Sequence, residues 1–181
     1  NAEAYYEEIG FYYEQLLGYF LQEFPNARIG WHQAWTHQAG EYAKLNSTVT
    51  TEKQISSAAQ IQKFAELVCG YFNEPAGKTL VQRIPTGIAW QNCRTTTGYD
   101  YLCSRLGYNN NKAGLMHAGD GYHDGDIGGG QYLNACVWFE VITGISVLGN
   151  PYVPEYKTTS TISFSRIIYN IRNRITYMCF K

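Results

Sequence analysis

Apolar residues recur every three or four positions in three stretches of the chain, the spacing that gathers them on one face of an α-helix. The first stretch ends at Pro25, and its apolar positions are Ile9, Tyr13, Leu16, Leu17, Phe20, Leu21 and Phe24. The second begins at Thr51, where Thr51-x-x-Gln54 has the form of a capping box, and continues through Ile55, Ala58, Ile61, Ala65, Val68 and Phe72. The third follows Gly130 and closes near Gly144, with Leu133, Cys136, Val137 and Val141 on one side. The pattern therefore predicts three helices.

Two short apolar stretches, at residues 27–32 and 79–84, predict strands, and Pro85 ends the second of them. Because helices and strands alternate along this part of the chain, the expected fold class is α/β with parallel strands. Residues 36–50 are polar and turn-rich, and residues 98–130 are rich in Gly, Asn, Asp and Tyr, so both are expected to be loops. A doubly wound sheet usually has about five or six strands. We therefore expect a missing N-terminal half or a partner chain to complete the sheet.

The composition is that of one globular domain followed by a basic tail. The chain has 181 residues, of which 45% are apolar and 16% are charged. We assign residues 1–154 to the domain and residues 155–181 to a C-terminal tail of unknown role. The tail holds one acid and the basic residues Lys157, Arg166, Arg172, Arg174 and Lys181. With a net charge of −1, the chain lacks the excess of basic residues that is typical of nucleic-acid-binding proteins. No apolar run reaches the ~18–20 residues of a transmembrane helix, and no signal peptide is visible.

Five cysteines are present, none of them in a Cys-x-x-Cys pair. Their odd number and their spacing argue against a zinc ribbon and against a full disulfide framework, so buried free thiols are expected. One disulfide, for instance between Cys93 and Cys103, stays open for an exported protein.

Four segments of the chain carry a resemblance to a known superfamily. They are Ile-Gly-Trp-His-Gln-Ala-Trp at residues 29–35, Ile-Pro-Thr-Gly-Ile-Ala-Trp-Gln-Asn-Cys-Arg at 84–94, Asp-Gly-Tyr-His at 120–123 and Gly-Gln-Tyr-Leu-Asn-Ala-Cys-Val-Trp-Phe-Glu at 130–140. In this order, across roughly residues 10–150, they resemble a bacterial family of the SGNH (GDSL-like) hydrolase superfamily. The resemblance implies a three-layer α/β/α, flavodoxin-like fold with a central parallel sheet. We expect the N-terminal strands of that sheet to be missing from this sequence.

The same resemblance implies a serine esterase, with Asp120 and His123 as the acid and the base of a catalytic triad. The nucleophile of that superfamily comes from a Gly-Asp-Ser or Gly-Asn-Ser tripeptide after the first strand, and neither tripeptide occurs here. We therefore expect the serine to lie outside this chain, and the chain alone to be inactive. The resemblance further implies a small-molecule or carbohydrate ester as substrate, no cofactor, and a secreted or periplasmic location.

The chemistry of the Asp-x-x-His block fits that role. A serine hydroxyl becomes a good nucleophile when an imidazole accepts its proton, and the imidazole needs a carboxylate on its other nitrogen. With Gly121 in a tight turn, Asp120 can fold back to within ~2.6–3.2 Å of the His123 Nδ1 atom. A solvated surface loop is the simpler alternative. A metal site that adds Asp124 and Asp126 is a second alternative, but its spacing matches no common metal motif, so we predict no metal.

Polar and aromatic side chains follow both predicted strands, at the carboxyl ends where α/β sheets bind ligands. Trp31 and Trp35 are candidates for a wall that stacks on a sugar, with core packing as the alternative. Gln91, Asn92 and Arg94 are further candidate substrate-binding residues, and Arg94 could instead cap a helix. We expect the imidazole of the Asp-x-x-His block at this same edge, with Trp31, Trp35 and Asn92 on one side of the sheet.

For His32 and His37 we expect ordinary packing or hydrogen bonding, since residues five apart around a strand end need not face the same way. A second function stays open beside the esterase: a non-catalytic carbohydrate-binding or structural module that keeps the SGNH fold. A Gly-x-Ser block after an upstream strand would favour the enzyme, and its absence would favour the binding module.

Overall fold

The computed structural model describes residues 1–37, 42–43, 47–95 and 129–147. In chain order, the helices and strands of these residues are α1 (Ala2–Glu23), β1 (Ile29–His32), β2 (Tyr42–Ala43), β3 (Ser47–Thr48), α2 (Thr51–Ala76), β4 (Val81–Ile84), α3 (Thr86–Thr95) and α4 (Gly129–Thr143). The three predicted helices and both predicted strands are thereby confirmed. None of the described helices combines the length and the apolar character that crossing a membrane requires.

Strands β1 and β4 form a parallel two-stranded sheet, with Ile29 opposite Val81 and His32 opposite Ile84. Helix α2 lies between the two strands in the chain, which confirms the expected α/β class and the parallel pairing. Strands β2 and β3 pair antiparallel over two residues each, inside the region predicted to be a loop. The wider parallel sheet of the SGNH superfamily stays a prediction.

Helices pack against both faces of the β1–β4 sheet. Residues three positions apart on a strand face opposite ways, and Val81 and Ile84 accordingly belong to two separate hydrophobic clusters. Val81 packs with residues of α1 and α2, namely Leu17, Val68 and Cys69. Ile84 packs with residues of α3, of α4 and of the segment after α4, namely Ala89, Trp90, Leu133, Cys136, Val137 and Val147. The described part of the chain therefore has one cluster on each side of its sheet.

Helix α3 is not predicted by the sequence pattern. Thr86 and Gly87 begin it, and both residue types have low helix propensity, so no apolar repeat marks its start. Burial stabilises it instead, because Thr86, Ala89 and Trp90 are almost fully inaccessible to solvent. Tertiary packing of this kind usually decides whether a short helix forms. The candidate residues Gln91, Asn92 and Arg94 therefore lie on a helix that directly follows β4.

The N-cap of α2 is Thr50 rather than Thr51. The Thr50 hydroxyl accepts a hydrogen bond from the Lys53 amide at 3.1 Å, and Thr50 has the extended backbone of an N-cap residue. Gln54, the other member of the predicted capping box, is buried, and its amide oxygen can face Arg94. The helix does begin at Thr51, but the predicted capping box is wrong by one residue.

Removing the cap hydroxyl with Thr50→Ala is expected to lower the free energy of unfolding by about 0.5–2 kcal/mol, because an amide in the first turn loses its acceptor. Thr51→Ala is the matched control: it keeps the cap and places a better helix former in the first turn, so its effect should be smaller. Urea denaturation of the two variants measures the difference. Equal losses, or a larger loss from Thr51→Ala, would contradict the assignment of the cap.

Candidate functional site

Hydrogen bonds join the segments that follow β1 and β4 at the carboxyl end of the sheet. The Gln33 amide donates to the Ile84 carbonyl at 3.0 Å, which extends the strand pairing by one residue. The Gln33 carbonyl accepts from the Gly87 amide at 2.8 Å and from the Thr86 hydroxyl at 2.5 Å. We refer to His32, Gln33, Thr86 and the side chains that contact them as the strand-end site.

The imidazole of His32 is held between two partners from distant parts of the chain. The Trp138 indole donates from Nε1 to the His32 Nδ1 atom at 3.0 Å. The His32 Nε2 atom lies 3.0 Å from the Thr86 hydroxyl oxygen, whose own hydrogen goes to the Gln33 carbonyl. Because an indole only donates, Nδ1 must accept, and Nε2 must therefore carry the proton that points at Thr86. These bonds assign His32 as the neutral Nε2–H tautomer, and they confirm the hydrogen-bonding role expected for it.

Trp90 is the centre of the cluster beside this site. It is fully buried, and its ring stacks on Trp35 with centroids 4.4 Å apart and planes 10° apart. Its indole nitrogen donates to the Asn134 side-chain oxygen at 2.8 Å, so that α3 and α4 are joined by a buried hydrogen bond. Two of the four resembling segments, at residues 84–94 and 130–140, therefore meet through Trp90.

The Arg94 guanidinium forms hydrogen bonds with other residues of the protein. Its guanidinium donates to the Thr36 hydroxyl at 2.9 Å and to the Thr36 carbonyl at 2.6 Å, and it lies 5.5 Å from the centre of the Trp90 ring. With the Gln54 amide oxygen turned towards it, the guanidinium also donates there from Nε at 3.0 Å. Only 8% of Arg94 is exposed. These bonds tie α3 to α2 and to the segment after β1, whereas contact between Arg94 and a substrate stays a prediction.

Trp31 and Trp35 do not form the shared wall that their positions suggest. Trp31 packs with the α1–α2 cluster and meets the Tyr13 ring edge-on, with centroids 5.1 Å apart. Trp35 packs with the cluster on the other face and stacks on Trp90. The expectation that both indoles line one side of the sheet is therefore wrong. Residue 35 lies three positions beyond the end of β1, where the alternation of a strand no longer sets the direction of a side chain.

Gln91 and Asn92 are half-buried on α3, and their contact with a substrate stays a prediction. Asp120 and His123 lie outside the described residues, as do Asp124 and Asp126 of the alternative metal site. The short distance predicted between the Asp120 carboxylate and the His123 imidazole therefore also stays a prediction. Within residues 1–37, 42–43, 47–95 and 129–147, no three His, Cys, Asp or Glu residues are grouped as metal ligands.

Helix α4 runs antiparallel to β1. Trp138 bonds to His32, the last residue of β1. Ile142, about one turn later in α4, accepts through its carbonyl from the Arg28 guanidinium at 3.0 Å, and Arg28 precedes the first residue of β1. The N-terminus of α4, at Gly129, therefore points towards the carboxyl end of the sheet.

Cys69 and Cys136 are buried thiols that take part in no disulfide, as expected for these two residues. The Cys93 side chain, Cys103 and Cys179 lie outside the described part of the structure. Burial raises the pKa of the Cys69 thiol to about 11, although the nearby Arg83 charge acts in the opposite direction.

Cys69 is expected to react with iodoacetamide at pH 8 more than about 100-fold more slowly in the native protein than in the unfolded chain. The thiolate is the reactive form, and a thiol with this pKa is almost entirely protonated at that pH. Peptide mass spectrometry after timed alkylation, with and without urea, measures the ratio. Equal rates in the two states would contradict the buried position of Cys69.

Comparison with known proteins gives no relative: no protein family, no curated protein and no solved structure matches this chain.

Proposed function

We propose that this chain is the C-terminal part of an SGNH-type serine esterase that removes acyl groups from carbohydrate esters. In this proposal His123 is the general base, Asp120 orients it, and the nucleophilic serine comes from a segment outside these 181 residues. Gln91, Asn92 and the exposed His32 of the strand-end site would face the substrate. The resemblance also favours an exported protein.

The direction of α4 is the observation that carries the proposal. Only five residues separate His123 from Gly129, the first residue of α4. A chain of that length spans at most roughly 20 Å. Because the N-terminus of α4 points towards the carboxyl end of the sheet, we expect the Asp-x-x-His block near the edge at which α/β enzymes gather their catalytic groups.

The meeting of the resembling segments gives further support. The segment at residues 29–35 bonds to the segment at 84–94 through the Gln33 carbonyl. The segment at 130–140 bonds to both of them, through Trp138 to His32 and through Asn134 to Trp90. Three segments that are far apart in sequence therefore surround one end of the sheet, as the parts of a single site would.

The proposed reaction proceeds in two steps. The serine oxygen attacks the ester carbonyl carbon while His123 accepts the hydroxyl proton, and His123 then gives that proton to the departing alkoxide. The acyl group is left on the serine. Water, which gives a proton to the same imidazole, attacks the acyl carbon, and the proton returns to the serine oxygen as the carboxylic acid leaves. Asp120 holds the imidazole in the tautomer that can accept at the nitrogen facing the serine.

Labelling with a fluorophosphonate, which phosphonylates activated serines, tests the assignment. The reagent is applied to the protein extended upstream of Asn1 along its coding sequence, and the labelled peptide is identified by mass spectrometry. We expect one labelled serine, outside the 181 residues, and much slower labelling after His123→Ala. Labelling of Ser47 or Ser104 would contradict the proposed origin of the nucleophile. Absence of any labelled serine would favour the non-catalytic module.

A further inference from the structure

Helix α1 carries a second apolar stripe beside the one that contains Leu17 and packs against α2. This second stripe repeats at alternating intervals of four and three residues, which is the spacing of a coiled-coil seam. We call it the α1 seam, and its residues are Tyr5, Ile9, Tyr12, Leu16 and Tyr19. Tyr12 is 70% exposed and Leu16 is 51% exposed. An exposed apolar stripe of this kind is typical of a surface that binds a partner.

A segment of the C-terminal tail has the same repeat over the same length. Its apolar residues follow one another at intervals of four, three, four and three positions, and they are Phe164, Ile168, Ile171, Ile175 and Met178. These residues lie outside the described part of the chain. In a helix, either repeat places its five side chains along one face over about 21 Å. The tail segment therefore matches the α1 seam in period and in length.

The charges beside the two repeats are opposite. Helix α1 holds five glutamates and no lysine or arginine. Glu8 borders the α1 seam, and Glu23 follows Tyr19 at the next four-residue step. Residues 164–178 hold three arginines and no acid, and Arg172 and Arg174 lie next to two of the apolar positions. Because flanking charges select the partner of a coiled-coil helix, the tail segment complements α1.

Two other pairings are less favourable. A second copy of α1 would bring glutamates to both sides of the seam, and like charges across such an interface oppose pairing. Helix α4 also exposes apolar side chains, but its single acid, Glu140, is buried and offers no charge to the arginines of the tail.

The tail is long enough to reach α1. Val147, the last described residue before it, packs in the cluster on the opposite face of the sheet from α1. The connecting residues 148–163 can span roughly 50 Å, whereas a small domain is about 30 Å across.

We propose that residues 164–178 form an amphipathic helix that docks lengthwise on the α1 seam. The isoleucines of the tail pack against the exposed tyrosines and Leu16, and the arginines lie beside the glutamates of α1. The proposal does not rest on the esterase function.

Photo-crosslinking of the 181-residue chain tests this assignment. p-Benzoylphenylalanine replaces Tyr12 in the α1 seam or, as the matched control, Phe11, an exposed aromatic residue that lies about 100° away around the helix. We expect position 12 to crosslink, within one molecule, to peptides of residues 164–178, and position 11 to give a clearly lower yield. Equal yields from the two positions, a crosslink to α1 of a second copy, or no crosslink to the tail would each overturn the proposal.

Substitutions in the tail test the repeat without changing α1. Ile168→Asn combined with Ile171→Asn should abolish the crosslink from position 12, because burying two such side chains favours docking by roughly a hundredfold or more. Ile162→Asn combined with Tyr169→Asn makes a similar change off the repeat and should keep the crosslink. A crosslink that survives the first pair, or an equal loss from both pairs, would overturn the proposal.

Vesicles of phosphatidylcholine and phosphatidylserine test the competing partner of a basic amphipathic helix, an anionic membrane surface. We expect the crosslink from position 12 to persist when the vesicles are added. Loss of the crosslink together with recovery of the chain on the vesicles would assign the tail to a membrane and overturn the proposal.

Discussion

His123→Ala is expected to lower kcat/KM of the protein extended upstream of Asn1 by at least about 10⁴-fold, with little change in KM. The imidazole accepts the serine proton in the transition state and contributes little to binding the substrate, so its loss acts mainly on kcat. Asp120→Asn is expected to give a smaller but still large loss, because the imidazole remains without its orienting carboxylate. Hydrolysis of an activated acetyl ester gives both constants.

His37→Ala is the control for this prediction. His37 is an exposed histidine outside the proposed catalytic groups, and its replacement should leave the kinetic constants near those of the wild type. A loss of less than tenfold from His123→Ala would contradict the assignment of the general base. Equal losses from the His37 and His123 variants would show that the assay reports stability rather than catalysis, which circular dichroism of both variants separates.

Gly87→Ala is expected to destabilise the fold by roughly 3 kcal/mol or more, near the upper end of single substitutions. A β-carbon at Gly87 would lie 2.9 Å from the Ala34 carbonyl carbon and would overlap the Ala34 carbonyl oxygen. Both are backbone atoms next to the bonded Gln33 carbonyl, so they cannot move without breaking the junction between β1 and α3. The free energy of unfolding from urea denaturation measures the effect.

Gly18→Ala is the matched control, since a β-carbon there meets no atom within 4 Å. Gly18 lies inside α1, where alanine is the better helix former by roughly 0.5–1 kcal/mol, so this variant should be more stable than the wild type. Opposite signs for the two glycine variants are expected. A Gly87→Ala protein as stable as the wild type would contradict the packing of α3 against the segment after β1.

The sequence was sufficient to predict the helices and strands that are marked by a local pattern of apolar residues. Helices α1, α2 and α4 each keep an apolar face over many residues, and β1 and β4 are short apolar stretches closed by turns or by proline. Helix α3 could not be predicted in this way. Its stability comes from burying Thr86 and Trp90 against residues far along the chain. The spacing of apolar residues within the ten residues of α3 does not reveal such long-range contacts. The predicted N-cap of α2 was wrong by one residue for a related reason. Thr50 and Thr51 are the same residue type, so the sequence does not distinguish them, whereas their backbone conformations do.

The sequence predicts which segments meet at the end of the sheet but not which side chains bond there. Parallel strands bring their carboxyl ends to one edge, so the segments after β1 and β4 were expected to be neighbours, and Gln33 does bond to Ile84 and Gly87. The bond between His32 and Trp138 joins residues 106 positions apart, and nothing in the sequence pairs them. Arg94 shows the same limit. No pattern in the sequence pairs its guanidinium with Thr36, which lies 58 positions earlier, and contact between Arg94 and a substrate stays a prediction.

Ester hydrolysis with and without the upstream segment tests the central claim most directly. The purified 181-residue chain and the protein extended upstream of Asn1 are assayed side by side against an activated acetyl ester. A general base accelerates acyl transfer only when it can activate a positioned nucleophile, so we expect enzymic turnover by the extended protein alone. Clear turnover by the 181-residue chain, abolished by His123→Ala and by replacement of one internal serine, would show that the nucleophile lies within this sequence. No turnover by either protein would contradict the esterase itself.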